Sequence, residues 1–342
     1  MKLGLADFLT LLSTGAVTSF HLPLTRSITK PSSSTTLYQF GTLGFETAGL
    51  YTASEEEQIK TQNEVMAFLT ETAQSSPPVA LRKNLGSTVV ISGFGPEDAA
   101  SQEILAFLNN EFSPHLSDTF AKIIAHVDDV KMGKKRLISR TARYTGLLDK
   151  LDFTQSESEG ALPTVSQLEG VGSWVAHVPY EGGLSAKLED IVTLAEGAES
   201  VKNVAILVSG AQSVKGEELK AIEEMLKSKA TTFEYTLVVV PEWNDEPEAN
   251  CAFGLVNITD VADAPFGDSG SFSREESLRL ITEALAIDKA AGKCLVASSA
   301  RDVKSLENML VQGMRENGYD RLQEVEFMVT CGAKVCGGNY CH

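Results

Sequence analysis

Apolar positions along most of the chain follow two alternating patterns. The run Ser87-Thr88-Val89-Val90-Ile91-Ser92-Gly93 is continuously apolar over a strand length, as strands buried on both faces are. From Glu97 to Asn110 the period lengthens, with Ile104, Leu105 and Leu108 on one side of a predicted helix. Strands are then expected at Ile123–Val127, Leu147–Phe153 and Trp174–Val178, and a helix from Leu188 to Ala198. Asn203–Ser209 is the clearest strand in the chain. The amphipathic stretch Lys215–Lys229, the strand Phe233–Val240, the helix Ser273–Ile287 and the strand Lys293–Ala297 continue the series. Strands alternating with helices of this length imply βαβ units and a mostly parallel sheet covered on both faces. The expectation is an α/β, doubly wound, Rossmann-like domain over residues 81–300, with ligands at the carboxyl ends of the strands near the topological switch point.

The ends differ from the middle. Ser54-Glu55-Glu56-Glu57 forms a capping box. Ile59, Val65, Met66 and Leu69 follow as an apolar stripe, and Ser75-Ser76-Pro77-Pro78 closes it, so residues 54–80 read as an N-terminal helical extension. Residues 1–53 combine an apolar stretch from Leu3 to Val17, interrupted by Asp7, with a segment from Thr18 to Phe45 that holds no acid and whose only cations are Arg26 and Lys30, among many hydroxyls. That is the composition of a targeting segment without fixed structure; a plain secretory signal or an unstructured tail are the alternatives. Residues 301–330 are expected to form a C-terminal helix and strand, and 331–342 a Cys-rich tail.

Charge narrows the classes of partner. The 342 residues carry 29 Lys+Arg against 46 Asp+Glu, a net of -17, with 43% hydrophobic and 22% charged positions. Lys2, Arg26 and Lys30 against Asp7 give residues 1–40 a net of +2 and leave -19 for the remainder. An acidic balance of this size argues against nucleic acid, which is held by clustered cations, and against adsorption to anionic lipid. The longest apolar run falls short of the ~18–20 residues of a membrane helix, so no span is expected in the mature chain. Five cysteines are too few for a disulfide scaffold.

The order of motifs resembles the atypical short-chain dehydrogenase/reductase family in its NAD(P)-binding, NmrA-like branch. Leu168-Glu169-Gly170-Val171-Gly172-Ser173-Trp174-Val175 looks like that family's entry to the fourth strand, and Val201-Lys202-Asn203-Val204-Ala205-Ile206-Leu207-Val208-Ser209 like its fifth. Lys220–Lys229 with Phe233–Val238, and Gly270-Ser271-Phe272-Ser273-Arg274-Glu275-Glu276, look like later family segments. The resemblance implies a dinucleotide, NAD or NADP, with Gly93, Phe94, Gly95, Asp128 and Ser209 as the candidate cofactor-binding residues. It also exposes departures that point to weak binding. In the family's Gly-x-x-Gly-x-x-Gly loop only Gly93 matches; Pro96 and Ala99 stand at the other two glycines. Pro96 has no N–H to offer pyrophosphate, and Glu97 and Asp98 would set carboxylates against it, although the same residues also make a good helix start. Asp128 and Asp129 lie where the adenosine ribose is read, which favours NAD if they are not simply solvated loop acids. The family's reductases use a Tyr with Lys four residues on, the Lys lowering the phenol's pKa; none of the seven tyrosines has that neighbour. Separately, Gly15-Ala16-Val17-Thr18-Ser19-Phe20-His21-Leu22-Pro23 looks like the signal-plus-transit junction of algal secondary plastids, which implies the plastid stroma after a bipartite presequence is removed.

Other chemistry is sparse. Cys331, Cys336, Cys341 and His342 are weak candidates for a metal site, because three thiols and an imidazole can complete a tetrahedron; a disulfide or a flexible tail with incidental thiols fits the spacing as well. Cys251 is expected in a loop, Cys294 as buried packing in a strand. His126 and His177 fall in strands and are read first as core or strand-end residues. His177 and Tyr180 border the cleft after the fourth strand, and Ser209 ends the fifth; these three are the weak catalytic candidates. No nucleophile elbow, metalloprotease helix or phosphate loop occurs. The expectation is a plastid NAD(P)-binding-fold protein with weakened cofactor binding and a redox-sensing or assembly role, whose partners would be photosynthetic or other plastid proteins. An active NAD(P)-dependent oxidoreductase acting on a small molecule, and a thiol or metal protein acting through its C-terminal cysteines, are the alternatives.

Overall fold

The computed structural model describes residues 79–95, 99–109, 119–138, 146–245, 253–261, 265–266, 271–299, 314 and 319–335. Residues 1–78, which hold the expected targeting segment and most of the expected 54–80 extension, lie outside the described residues, as do Pro96, Glu97, Asp98 and residues 336–342.

An eight-stranded sheet forms the centre. Its strands are β1 (Thr88–Ser92), β2 (Lys122–Val127), β3 (Leu151–Gln155), β4 (Ser173–Pro179), β5 (Asn203–Ser209), β6 (Glu234–Val239), β8 (Phe253–Asn257) and β10 (Lys293–Ser299). They lie in the order β3-β2-β1-β4-β5-β6-β10-β8. All neighbours are parallel except β8, which pairs antiparallel with β10 at the edge. The chain runs outward from β1 to β3, returns to β4 on the other side and continues outward. β1 and β4 therefore flank the switch point of a doubly wound, Rossmann-like α/β sheet.

Helices cover both faces. On one lie α1 (Ala99–Leu108), α6 (Arg274–Ala286) and α7 (Arg321–Val335), whose Ile104, Leu105, Leu278, Ile281, Leu322 and Val325 join one apolar cluster. On the other lie α4 (Leu184–Gly197) and α5 (Gly216–Lys229), whose Leu188, Ile191, Leu219, Ile222 and Leu226 join a second. The strands supply alternate residues to each: Val89 and Ile91 to the first, Val90 to the second. This two-sided burial is why the strands read as unbroken apolar runs rather than alternating ones. Two shorter helices, α2 (Val130–Leu137) and α3 (Leu147–Lys150), complete the β2–β3 connection.

The structure departs from expectation in four places. Leu147–Phe153 is not one strand. Gly146, at φ 72°, starts a single helical turn over Leu147–Lys150, and the strand begins at Leu151, opposite Ile123. β8 was not anticipated: its Gly254 interrupts the pattern, and an edge strand buries only part of its length. A detached two-stranded parallel sheet, β7 (Glu242–Asn244) with β9 (Ser271–Ser273), consists of strands too short for any periodicity to mark. At the C-terminus α7 runs through Cys331 and ends at Val335, so the first of the tail cysteines lies in a helix. No helix among the described residues is long and apolar enough to cross a membrane.

Glycines set the spacing of the two switch-point strands. At the amino end, a Cβ on Gly172 would lie 2.6 Å from the Gly86 Cα. At the carboxyl end Gly93, at φ 81°, lies so near β4 that a Cβ there would sit 2.0 Å from the His177 carbonyl oxygen. Arg82 ties the amino ends together: it is 5% exposed and donates to the Ile287 carbonyl at 3.2 Å, the Ala284 carbonyl at 3.3 Å, Asn203 Oδ1 at 3.4 Å and Thr236 Oγ1. Burial pushes its guanidinium down to about 10, with Glu234 and Asp288 opposing the shift. A cavity of ≈ 430 Å³ opens beside it, lined by Leu81, Arg82, Lys83, Gly86 and Ser87 among others, at the sheet end remote from the switch-point crevice.

Candidate functional site

The carboxyl ends of β1, β4 and β5 converge at the switch point. Gly93 leaves β1 in a left-handed turn that no other residue type adopts readily. The strand end is held by Trp174, whose Nε1 donates to Ser92 Oγ at 2.8 Å. Two residues before the end of β4, the His177 side chain turns toward this corner. Its Nδ1 is 3.0 Å from the Gly93 carbonyl oxygen and its Nε2 is 2.8 Å from Ser209 Oγ at the end of β5. A carbonyl only accepts, so Nδ1 carries the proton. In the neutral imidazole Nε2 is then the acceptor, and the Ser209 hydroxyl donates to it.

Aromatic rings enclose the imidazole. Phe94 stacks on His177 with centroids 5.1 Å apart and planes 23° from parallel. Trp243 of β7 stacks on it at 4.8 Å and 13°. His177 and Ser209 are each 8% exposed and Phe94 4%. Such stacked pairs add about 0.5–1.5 kcal/mol beyond the area they bury. Against that, the Trp243 Nε1 is buried and finds no acceptor among the described residues, and an unmet buried donor costs about 1–3 kcal/mol. The Trp243 strand is anchored indirectly: the first residue of α6, Arg274, grips Glu103 of α1 through two bonds of 2.9 and 3.1 Å and also reaches Asp245, two residues past Trp243. The two carboxylates hold the Arg274 guanidinium above its usual range, Glu103 contributing most.

The residues singled out from the sequence divide as follows. Gly93, Phe94, His177 and Ser209 are brought together. Gly95 is adjacent and its carbonyl accepts from the Ser101 hydroxyl of α1. Tyr180 is not part of the group: it packs with the α4/α5 face and its hydroxyl donates to Glu218 Oε2 at 3.1 Å. Burial and the Glu218 charge raise its phenol above the usual range, the opposite of what a catalytic tyrosine needs at neutral pH. Asp128 is exposed at the end of β2, where its Oδ1 accepts from the Gly160 N–H at 3.1 Å. Asp129 caps α2, accepting from the N–H groups of Lys131 and Met132. Both acids therefore have local structural bonds. The Ser209–His177 pair resembles a nucleophile and its base, but the N–H groups that follow are committed, Gly210 to the Pro241 carbonyl and Ala211 to that of Val240. Those two groups are therefore not free to stabilise an oxyanion.

His126 is a core residue, 5% exposed, with Nδ1 3.1 Å from Thr154 Oγ1 and Nε2 3.1 Å from the Ala161 carbonyl. Cys294 is buried in β10, and burial, reinforced by Glu223, pushes its thiol above the usual range. The Cys331 side chain, Cys336, Cys341 and His342 lie outside the described residues, and no group of three metal-binding side chains occurs among those described.

Two features of the site escaped the sequence reading. Trp243 comes from a three-residue strand and meets His177 only through the fold. The other had a plain signal: α2 reads Val-Lys-Met-Gly-Lys-Lys-Arg-Leu, setting the exposed cations Lys131, Lys134, Lys135 and Arg136 just behind Asp128 and Asp129 in an otherwise acidic chain.

No family model matches the chain, and no curated protein matches it. Among solved structures it is similar to a Bacteroides thetaiotaomicron protein classed as an epimerase, at 12% identity and a TM-score of 0.41 over 63% of this chain and 97% of that one. It is also similar to an NADPH-dependent quinone oxidoreductase from Escherichia coli, at 14% identity and a TM-score of 0.36 over 72% of this chain and 98% of that one. The same enzyme complexed with NADPH matches at 13% and 0.36, over 74% and 90%.

Proposed function

We propose that this chain is a dinucleotide-fold protein of the atypical short-chain dehydrogenase/reductase kind whose cofactor crevice has been given over to packing, and that it acts by binding other plastid proteins, in redox sensing or assembly, rather than by hydride transfer. The observation that carries the reading is the Phe94–His177–Trp243 stack, which sets aromatic side chains across the carboxyl ends of β1 and β4, where ligands of doubly wound sheets lie. The acids Glu97 and Asp98 after Gly93, and the lack of any Tyr with a Lys four residues on, agree with it.

Titration of the full chain with NADH and NADPH, followed by tryptophan emission and by thermal melting, tests the proposal. No response up to about millimolar cofactor is expected; micromolar binding, roughly 8 kcal/mol, overturns it. An active oxidoreductase is the second reading, supported by the Gly93 turn and the Ser209–His177 pair, and the α2 cations would then favour the 2′-phosphate of NADP over NAD. The plastid stroma is proposed from the leader alone. A fluorescent protein carrying residues 1–53 should enter the plastid of an alga with secondary plastids, and secretion of the fusion would remove that assignment.

A further inference from the structure

The closed crevice raises the question of what closes it. Phe94 belongs to the β1 corner and is nearly fully buried in the core cluster beneath α1. Trp243 packs against the same cluster but is held differently. It is only partly buried, it belongs to a detached two-stranded sheet rather than to the main one, and it lies almost parallel to the imidazole, as a planar ligand ring would. Its indole N–H is buried without an acceptor among the described residues, and the ring packs against the apolar cluster as well as stacking on the imidazole. The groups beneath it are fixed independently of it: His177 by Gly93 and Ser209, Gly93 by its contact with β4. Removing the indole would therefore leave a formed platform, the outer face of His177 beside the Ser209 hydroxyl, at the switch point.

We infer that Trp243 is an internal plug: its indole occupies, on the outer face of His177, the place a dinucleotide's planar ring would take, and the Arg274 bridge to Glu103 and Asp245 holds β7 in that closed position. The inference rests on the closed-crevice reading, and it adds that one side chain, rather than the loss of the site itself, is what excludes the ligand. The exposed lysines of α2, Lys131, Lys134 and Lys135, suit the far, phosphate-bearing end of the same ligand, which makes NADPH the appropriate probe.

The test is calorimetric titration of NADPH into the full chain and three variants, with circular dichroism melts to show that each is folded. Trp243→Ala removes the plug. Trp243→Leu retains much of the apolar bulk but no planar ring, and so keeps the test intact if the alanine variant does not fold. Both should bind NADPH at least about tenfold more tightly than the wild type. Trp243→Phe, which keeps a ring able to stack, should stay at the wild-type level. Folded Ala or Leu variants that bind no better than wild type overturn the plug, as does a Phe variant that gains as much as Ala. Wild type binding in the micromolar range would instead fail the closed-crevice reading, and is recognised without reference to any variant.

Discussion

At the scale of single residues, the two buried histidines show how neighbours choose a proton's position. His177 faces a carbonyl with Nδ1 and a hydroxyl with Nε2; His126 faces a hydroxyl with Nδ1 and a carbonyl with Nε2. The two rings are therefore opposite tautomers in the same sheet. Burial lowers the pKa of His126 below its usual 6.5, with the Ala161 carbonyl and the Asp128 charge opposing. Because the folded pKa lies below the unfolded one, its contribution to stability is full above about 6.5 and is lost as pH falls below it, when the unfolded chain takes up a proton that the folded one resists. Urea midpoints measured from about pH 8 down to about pH 5 should fall for the wild type, and fall less for His126→Gln, which has no proton to gain; equal slopes would show that another group carries the acid limb. The family resemblance marked Gly93 and Ser209 as candidates, and His177 was marked because it borders the cleft after the fourth strand. It could not show that Gly93 serves a close approach to β4 as well as a turn, since that requires knowing that β1 and β4 are neighbours.

At the scale of elements, strands β1, β2, β4, β5, β6 and β10 were legible to within one or two residues because burial on both faces leaves a continuous apolar signature. β3 was displaced because Leu147, Leu148 and Leu151 serve a helical turn and then a strand without a break in hydrophobicity. β7 and β9 were invisible, and with them went Trp243, the residue on which the proposed function most depends. The docking of α7 is also a matter of charge that no local pattern reveals. Arg321, at its first position, pairs with Glu276 and, at 3.1 Å, with Glu283 of α6, lies 3.6 Å from Glu324, and spreads over the Phe253 ring of β8 at 4.6 Å. Glu276 and Glu283 are almost fully buried. Arg321→Ala would strand the Glu276 carboxylate, while Glu283 would keep its 3.0 Å pair with Arg279, and stability should drop by about 3–5 kcal/mol, with faster amide exchange in α7 than in α4. Lysine should rescue only part of this, lacking the planar fork that reaches several acceptors at once. A loss below about 1 kcal/mol would mean that apolar packing alone holds the helix.

At the scale of the whole molecule, the net charge of -17 conceals an uneven distribution. Residues 1–40 are net positive, the α2 surface is a basic island, and the acidity lies elsewhere, so a partner would meet different fields from different sides. The sheet carries a further consequence, for synthesis. β8 precedes β10 in the chain yet lies outside it, bonded to no other strand among the described residues, and α7 then packs upon β8. While the ribosome is still making residues 258–292, β6 has a bare edge and β8 has no partner. Open strand edges of that kind pair readily with other chains. The nascent protein is thus most prone to aggregation late in its translation, and a single strand, β10, closes both edges at once.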